Sequence, residues 1–212
     1  MPLPHHPSAE AIAAWPTFTS AAPMRVLTSG CLAGLPCGVD GTSYGDYPLA
    51  RWLLSRSNVR AIPYCPEDAA FGTPRFTPNI VGGTGFDVLD GRARVVADTS
   101  EEQDLTDALV VTAHRMAALA KEHDVHLALM MDISAACGST VIYDGHRRDQ
   151  RYTRGPGVAA AAMMRARIAI VSQRDERTLR AILRKLGAEE GAPFTDDLDH
   201  HERQWFRTYF AP

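Results

Sequence analysis

The chain has 212 residues, of which 45% are hydrophobic and 22% are charged, and its formal net charge is −3. This length suits one sizeable α/β domain with its own core, and the near-balanced charge gives no sign of a polyanion-binding surface, so no nucleic-acid polymer is expected as a partner. No apolar run approaches the ~20 residues that a membrane span needs. The first 23 residues lack the basic leader and apolar core of a signal peptide. We therefore expect a cytoplasmic protein, in which cysteines bind metals or do chemistry more often than they form disulfides.

Composition divides the chain into three segments. Residues 1–23 contain many proline, serine and alanine residues without helical or strand periodicity, which predicts an irregular N-terminal extension. Residues 24–187 alternate between apolar and amphipathic stretches and are expected to form the α/β domain. Residues 188–212 fall outside this alternation and are expected to pack as a C-terminal appendage.

The first half of the domain alternates between short apolar runs and amphipathic stretches, in the order MRVLT (24–28), PLARWLLSR (48–56), VRAIPY (59–64) and RVVAD (94–98). The clearest helix in the sequence is 105–123, whose apolar residues recur at helical spacing. Ser100 and Gln103 fit a capping box in front of that helix.

The second half of the domain repeats the pattern. Continuous apolar runs at 125–133 and 168–172 are typical of strands buried in a parallel sheet. The last helix carries an apolar stripe from Leu179 to Leu186, and Gly187 is placed to end it. Strands that alternate with helices in this way predict a Rossmann-like three-layer sandwich with a mostly parallel central sheet.

Three of the four cysteines directly or closely follow a predicted strand: Cys31, Cys65 and Cys137. The carboxyl ends of parallel strands lie at one edge of a sheet, so these thiols could converge there. Thiolates select iron–sulfur clusters, zinc or Cu(I), and three ligands would leave one metal position open, as a catalytic site requires. The alternative from the residues alone is that each cysteine is buried as a small hydrophobe.

Several short blocks occur in a fixed order: CLAGLPCGVDG, PYCPE, DVLDGRARVV, SAACGSTVIYDG and GPGVAAAAMMR. Together they resemble a bacterial and archaeal family known as DUF523, some of whose members are thiouracil desulfidases. The resemblance extends from Met24 to Ser172. It implies a [4Fe–4S] cluster cofactor held by Cys31, Cys65 and Cys137, with the fourth iron free to take a sulfur from a small thiolated nucleobase.

The sequence departs from the family pattern at two of these blocks. Cys37 occupies a position that the family often fills with valine, so we leave it out of the ligand set. In the family's SPSCG block, Ala135 and Ala136 replace the proline and the second serine, whereas Ser134 is kept. These changes remove a rigid residue and a hydroxyl from the loop.

Replacing C=S by C=O in a thiouracil-like ring requires water to add and sulfide to leave, so a general acid or base must move protons. Glu67, two residues after Cys65, and Ser134, three before Cys137, are the candidates. Glu67 could instead be an acidic residue of a first helical turn. Ser134 could instead cap its own loop.

The candidates for substrate contact are Arg75, Gly138 and Ser139. Arg75 could hold a polar substrate edge by paired hydrogen bonds, or could form an ordinary salt bridge. The glycine-rich turn that opens 158–164 could bind an anion or could be only a tight turn. The pairs His5-His6 and His200-His201 are expected to be solvated surface.

Two other classes of function remain open from the residues. One is a zinc-bound or metal-free binding or regulatory domain, in which Cys37 or a histidine closes a structural site. The other is a cluster-dependent hydratase or dehydratase. The sequence does not predict an oligomeric state.

Overall fold

The computed structural model of the protein describes residues 5–43 and 46–211, so residues 1–4 of the predicted extension and Pro212 of the predicted appendage lie outside the described residues. The helices of the described part are α1 Ala9–Ala14, α2 Pro48–Leu54, α3 Pro66–Phe71, α4 Gly85–Leu89, α5 Thr106–Glu122, α6 Val158–Arg165, α7 Glu176–Lys185 and α8 Gln204–Tyr209. The strands are β1 Met24–Ser29, β2 Val59–Tyr64, β3 Pro78–Val81, β4 Arg94–Ala97, β5 Leu127–Met130, β6 Val141–Tyr143, β7 Tyr152–Arg154 and β8 Ile170–Ser172.

The central sheet has four strands in the order β2-β1-β5-β8, and every neighbouring pair is parallel. The register places Ser29 at the end of β1 opposite Tyr64 at the end of β2, and Met130 of β5 opposite Ser172 of β8. All four strands therefore end at one edge of the sheet. The prediction of a Rossmann-like α/β fold with a parallel central sheet is confirmed.

Alternate side chains of the buried strands feed two separate cores, one on each face of the sheet, as expected for a sheet covered on both sides. The first core packs helices α4, α5 and α6 against Leu27, Ala128, Met130 and Ile170. The second core packs helices α1, α2 and α7 against Val26, Leu127, Leu129 and Val171. The three layers of the sandwich follow from this alternation.

Two antiparallel pairs lie outside the central sheet: β3 with β4, and β6 with β7. The apolar run 94–98 therefore forms a strand, but not one of the parallel sheet. Helix α5 begins without the capping box expected from Ser100 and Gln103, because the Asp104 carboxylate accepts the Thr106 N–H instead. Within the described ranges, no helix is long and apolar enough to cross a membrane.

The segment before Met24 contains a helix, whereas the sequence predicted only irregular structure there. Helix α1 starts at Ser8, whose side chain accepts the Ala11 N–H, and it buries Ile12. Six residues are too few for helical periodicity to stand out, and packing against α7 stabilises what propensity alone would not.

The expectation that the histidine pairs are solvated is wrong. His200 is 1% exposed, and its ring stacks on Trp205 of the C-terminal segment. The His6 side chain is also buried, and its Nε2 lies 3.1 Å from Asp175 Oδ2. The segments around His6 and His200 therefore pack on the domain beside the carboxyl end of β8.

Candidate functional site

Three neighbouring strands bring the three predicted ligands to one edge of the sheet. Cys31 lies in a 3-10 turn, Gly30–Ala33, that follows β1 without a break. Cys65 follows β2 directly and is the N-cap of α3, where its sulfur accepts the Asp68 N–H at 3.4 Å. Cys137 lies in the loop after β5. Because β2, β1 and β5 are adjacent, residues far apart in sequence meet here.

All four cysteines line one cavity of about 280 Å³, and all four are free thiols. Neither Cys31 nor Cys65 is fully buried, and Cys137 is 6% exposed. The lining also includes Ser29, Gly30, Tyr47, Glu67, Arg75, Met131, Asp132, Ile133, Ser134, Ala135, Tyr143, Arg147 and Arg174. The structure thus brings together every predicted ligand and both predicted catalytic residues.

Cys37, left out of the predicted ligand set, belongs to the same cavity. Its thiol is in hydrogen-bonding contact with the thiols of Cys31 and Cys65. Gly30 makes this approach possible, because a Cβ at that position would lie 3.0 Å from the Cys37 sulfur and 3.4 Å from Cys65 Cβ. The sequence offered one signal of this arrangement, the six-residue spacing from Cys31 to Cys37 across a turn.

The four thiols line the same cavity. Among residues 5–43 and 46–211, no group of three or more His, Cys, Asp or Glu side chains is placed to hold a single metal ion. Contact with the Cys31 thiol is the main reason that the pKa of Cys37 is raised to about 11. The Cys37 thiol and burial raise the pKa of Cys65, and burial raises that of Cys137. Without a positive centre in the cavity these groups are thiols, and a metal would displace their protons.

Glu67 and Arg75 form an ion pair at the wall of the cavity, with Arg75 Nη2 2.9 Å from Glu67 Oε2. The Arg75 guanidinium is almost fully buried, and it also donates to the carbonyls of Cys37 and Gly72. It therefore has the salt bridge considered as an alternative in the sequence. Its contact with a substrate stays a prediction.

Ser134 connects the loop after β5 to Glu67. Its Oγ donates to Glu67 Oε1 at 3.3 Å and accepts the N–H groups of Ala136 and Cys137 at 3.2 and 3.0 Å. Ser134 thus caps its own loop, as the alternative interpretation predicts, and it also lines the cavity; its role in proton transfer stays a prediction. The loop cap fixes the backbone at Cys137.

Gly138 and Ser139, the other two residues predicted to contact substrate, lie outside the lining of the cysteine cavity as the described residues form it. Their contact with a substrate stays a prediction. Gly138 is needed for backbone packing, since a Cβ there would lie 2.7 Å from the Val141 carbonyl oxygen and 2.8 Å from that of Ser134. Ser139 is buried, and its N–H donates to Asp132 Oδ1.

Two further features shape the cysteine loop, the segment 131–140 between β5 and β6 that carries Cys137. A Cβ at Gly157 would lie 2.5 Å from the Ala135 carbonyl oxygen, so the glycine-rich turn before α6 packs directly on the loop. This packing agrees with the second interpretation of the glycine-rich turn, that it is a tight turn. Ile133 has φ 57°, a left-handed conformation that is rare and costly for a β-branched residue. The glycine-rich block in the sequence indicates the turn but not its contact with the loop, and no sequence pattern marks the strained backbone of Ile133.

Comparisons with known proteins agree with this site. The family model described as 2-thiouracil desulfurase matches residues 26–175, which contain all four cysteines. The chain is 33% identical over 151 residues to the uncharacterized protein YbbK of Bacillus subtilis (strain 168), a match that covers 71% of this chain and 96% of that protein.

A solved structure is similar as well. It is the [4Fe-4S]-dependent thiouracil desulfidase TudS, with a TM-score of 0.58 and 30% identity, and the match covers 70% of this chain and 90% of that chain. These matches confirm the resemblance inferred from the cysteine blocks. The chain belongs to the 2-thiouracil desulfurase family, which is the DUF523 family.

Proposed function

We propose that this protein is a [4Fe–4S]-dependent desulfidase that converts the C=S group of a small thiolated nucleobase, such as thiouracil, to C=O. The observation that carries the proposal is that Cys31, Cys65 and Cys137 share one cavity with Glu67 and Ser134. The reaction balances without a redox partner. Water supplies the carbonyl oxygen, the C–S bond breaks, and sulfur leaves as hydrogen sulfide with both protons of the water.

The donor set fits an iron–sulfur cluster. Cysteine thiolates are the usual ligands of such clusters, and each binds a different iron, so the ligands surround a volume rather than meet at one ion. Cys31, Cys65 and Cys137 would hold the cluster, entering from three neighbouring strand ends. When bound, the cluster supplies a soft Lewis acid with one iron open to sulfur.

Glu67 is the residue for proton transfer. A carboxylate at the cavity wall can accept a proton from water and return it to the leaving group or to the ring. The bonds from Arg75 and Ser134 fix the direction of each carboxylate oxygen. Ser134 can pass its hydrogen bond to a bound water or substrate atom, because its hydroxyl rotates.

The test is to purify the protein without oxygen and measure iron, acid-labile sulfide and zinc. We expect a brown protein with absorption near ~400 nm and about four irons and four sulfides per chain. The same preparation should release sulfide from 2-thiouracil and form uracil. A colourless, iron-free protein after anaerobic reconstitution would overturn the proposal, and one zinc without sulfide would indicate a closed structural site made with Cys37. A clustered protein that adds or removes water but releases no sulfide would be a hydratase or dehydratase.

A cytoplasmic location is part of the proposal. Four closely placed cysteines remain free thiols only where the compartment is reducing. The same condition protects a cluster that has an open iron.

A further inference from the structure

One carboxylate organises the loop that carries Ser134 and Cys137. Asp132 lies two residues beyond β5 and is buried, with 3% of its surface exposed. Its Oδ1 accepts the backbone N–H groups of Ile133, Ser139, Thr140 and Val141, at 3.1, 3.0, 3.2 and 3.3 Å. These bonds connect the start of the loop to its end, so the path of the backbone through Cys137 depends on where this one oxygen lies.

The second oxygen of the same carboxylate is held from the C-terminal segment. His200 Nδ1 lies 2.5 Å from Asp132 Oδ2, and both side chains are almost completely buried. The carboxylate is the acceptor of this bond, so the donor is the His200 tautomer that carries its proton on Nδ1. Two further contacts fix His200: its backbone N–H donates to Asp175 Oδ1 at 3.0 Å, and its ring stacks on Trp205.

The loop needs such a restraint, because it begins with a strained residue. Ile133 has φ 57°, and strain of this kind persists only where the surroundings over-determine the conformation. The Ile133 N–H donates both to Asp132 Oδ1 and to the Val141 carbonyl. If the Asp132 carboxylate could rotate, the first of these bonds would be lost.

We propose that His200 is a positioning residue of the cysteine site: it fixes the Asp132 carboxylate, which in turn fixes the loop that presents Cys137. His200 lies outside residues 26–175, the part that matches the family model. The C-terminal segment therefore completes the site of this protein. The consequence for the cluster rests on the function proposed above, whereas the effect on the loop does not.

The first experiment measures hydrogen exchange of the amides of residues 133, 139, 140 and 141 in the cluster-free protein. We compare His200→Leu, which removes the donor, with His200→Asn, whose amide nitrogen can replace Nδ1. We expect roughly 10- to 100-fold faster exchange in His200→Leu, since the lost bond involves a charged group, and near wild-type exchange in His200→Asn. Phe206→Leu is the control, because Phe206 packs edge-on against the His200 ring without donating a bond.

Three outcomes of that experiment overturn the proposal: unchanged exchange in His200→Leu, equally fast exchange in His200→Leu and His200→Asn, or equally fast exchange in Phe206→Leu. The last would indicate general loosening of the C-terminal segment. The amides of Leu127–Met130 in β5 report the stability of the fold in every variant.

The second experiment measures iron retention and the electron paramagnetic resonance spectrum of the reduced cluster. We expect His200→Leu to lose iron faster than wild type or to show a shifted spectrum, and His200→Asn to restore both. If wild type holds no cluster, the proposed function fails, while the exchange experiment still decides the positioning role. A loosened loop with unchanged iron retention and spectrum would overturn the link between His200 and the cluster.

Discussion

Ser134 Oγ and Glu67 Oε1 are joined by a hydrogen bond of 3.3 Å between two segments that are 67 residues apart. One segment is the first turn of α3, directly after Cys65, and the other is the loop that leads to Cys137. The bond therefore couples the two predicted proton-transfer residues and sets their distance from two predicted ligands. Its chemical consequences can be tested at either end.

Replacing Glu67 with glutamine should lower kcat by about 100-fold or more, because the amide keeps the shape of the side chain but cannot accept a proton. Iron and sulfide content should stay at the wild-type level, since no predicted ligand is changed. The measurement is initial sulfide release from 2-thiouracil at saturating substrate. The matched control is Glu122→Gln, which removes an exposed carboxylate at the end of α5. Full activity in Glu67→Gln would assign Glu67 a structural role only.

The four cysteines should fall into two groups when each is replaced with serine. Cys31→Ser, Cys65→Ser and Cys137→Ser should each lose the cluster, because a hydroxyl is a harder and weaker iron ligand than a thiolate. Cys37→Ser should keep the cluster, although its thiol contacts two of the predicted ligands. Iron per chain and absorption near ~400 nm after anaerobic reconstitution distinguish the groups. Loss of colour in Cys37→Ser would show that the ligand set includes Cys37.

Gly157→Ala should displace the cysteine loop, because the turn before α6 packs directly against it. The new methyl group would lie 2.5 Å from the Ala135 carbonyl oxygen and 2.6 Å from that of Ser134, and neither backbone atom can move without moving the loop. Overpacking of this kind costs about 1–3 kcal/mol in the free energy of unfolding, which urea titration measures. Iron retention should fall as well.

Gly187→Ala is the control for that substitution. Gly187 has φ 65° and open space around it, so an alanine there adds backbone strain of about 1 kcal/mol but touches nothing near the cavity. Iron retention equal in the two variants would mean that contact between Gly157 and the loop does not matter for the site.

The histidines at the N-terminal end should make stability depend on pH in opposite directions. Burial, followed by the charge of His6, lowers the pKa of His5 from 6.5 to about 4. The folded state therefore favours neutral His5. The contribution of His5 to the free energy of unfolding is complete above pH 6.5 and is lost as pH falls towards 4. At ~1.4 kcal/mol per pH unit between these two pKa values, the loss in the free energy of unfolding is roughly 3 to 4 kcal/mol.

Urea unfolding of wild type and His5→Phe at pH 7 and pH 4.5 measures this effect, and wild type should lose more stability than the variant. His6 is the matched comparison. Burial lowers the pKa of His6, but the hydrogen bond to Asp175 and the charges of Asp175, Asp199 and Asp132 together raise it by more, so the net pKa is raised. The contribution of His6 to the free energy of unfolding is complete below pH 6.5 and is lost as pH rises through the raised pKa. Parallel pH dependence in His5→Phe and wild type would contradict the assignment.

Local patterns in the sequence were sufficient to predict the central elements of this fold. The runs 24–28, 59–64 and 125–133 correspond to β1, β2 and β5, because short and largely apolar segments bounded by turn residues favour strands. Helix α1 was not predicted, since six residues carry little periodicity. The apolar run 94–98 contains β4, and the sequence gives no sign of its antiparallel partner β3.

The sequence by itself determined the parallel sheet, the order of its cysteine-bearing turns and the family to which the chain belongs, because strand periodicity and short motifs are local properties. Tertiary structure decided which side chains share the cavity. Cys37 enters it because Gly30 leaves room, and His200 reaches Asp132 across 68 residues because the C-terminal segment packs beside the carboxyl ends of the strands. Such contacts depend on the path of the backbone in three dimensions, which no spacing along the chain encodes.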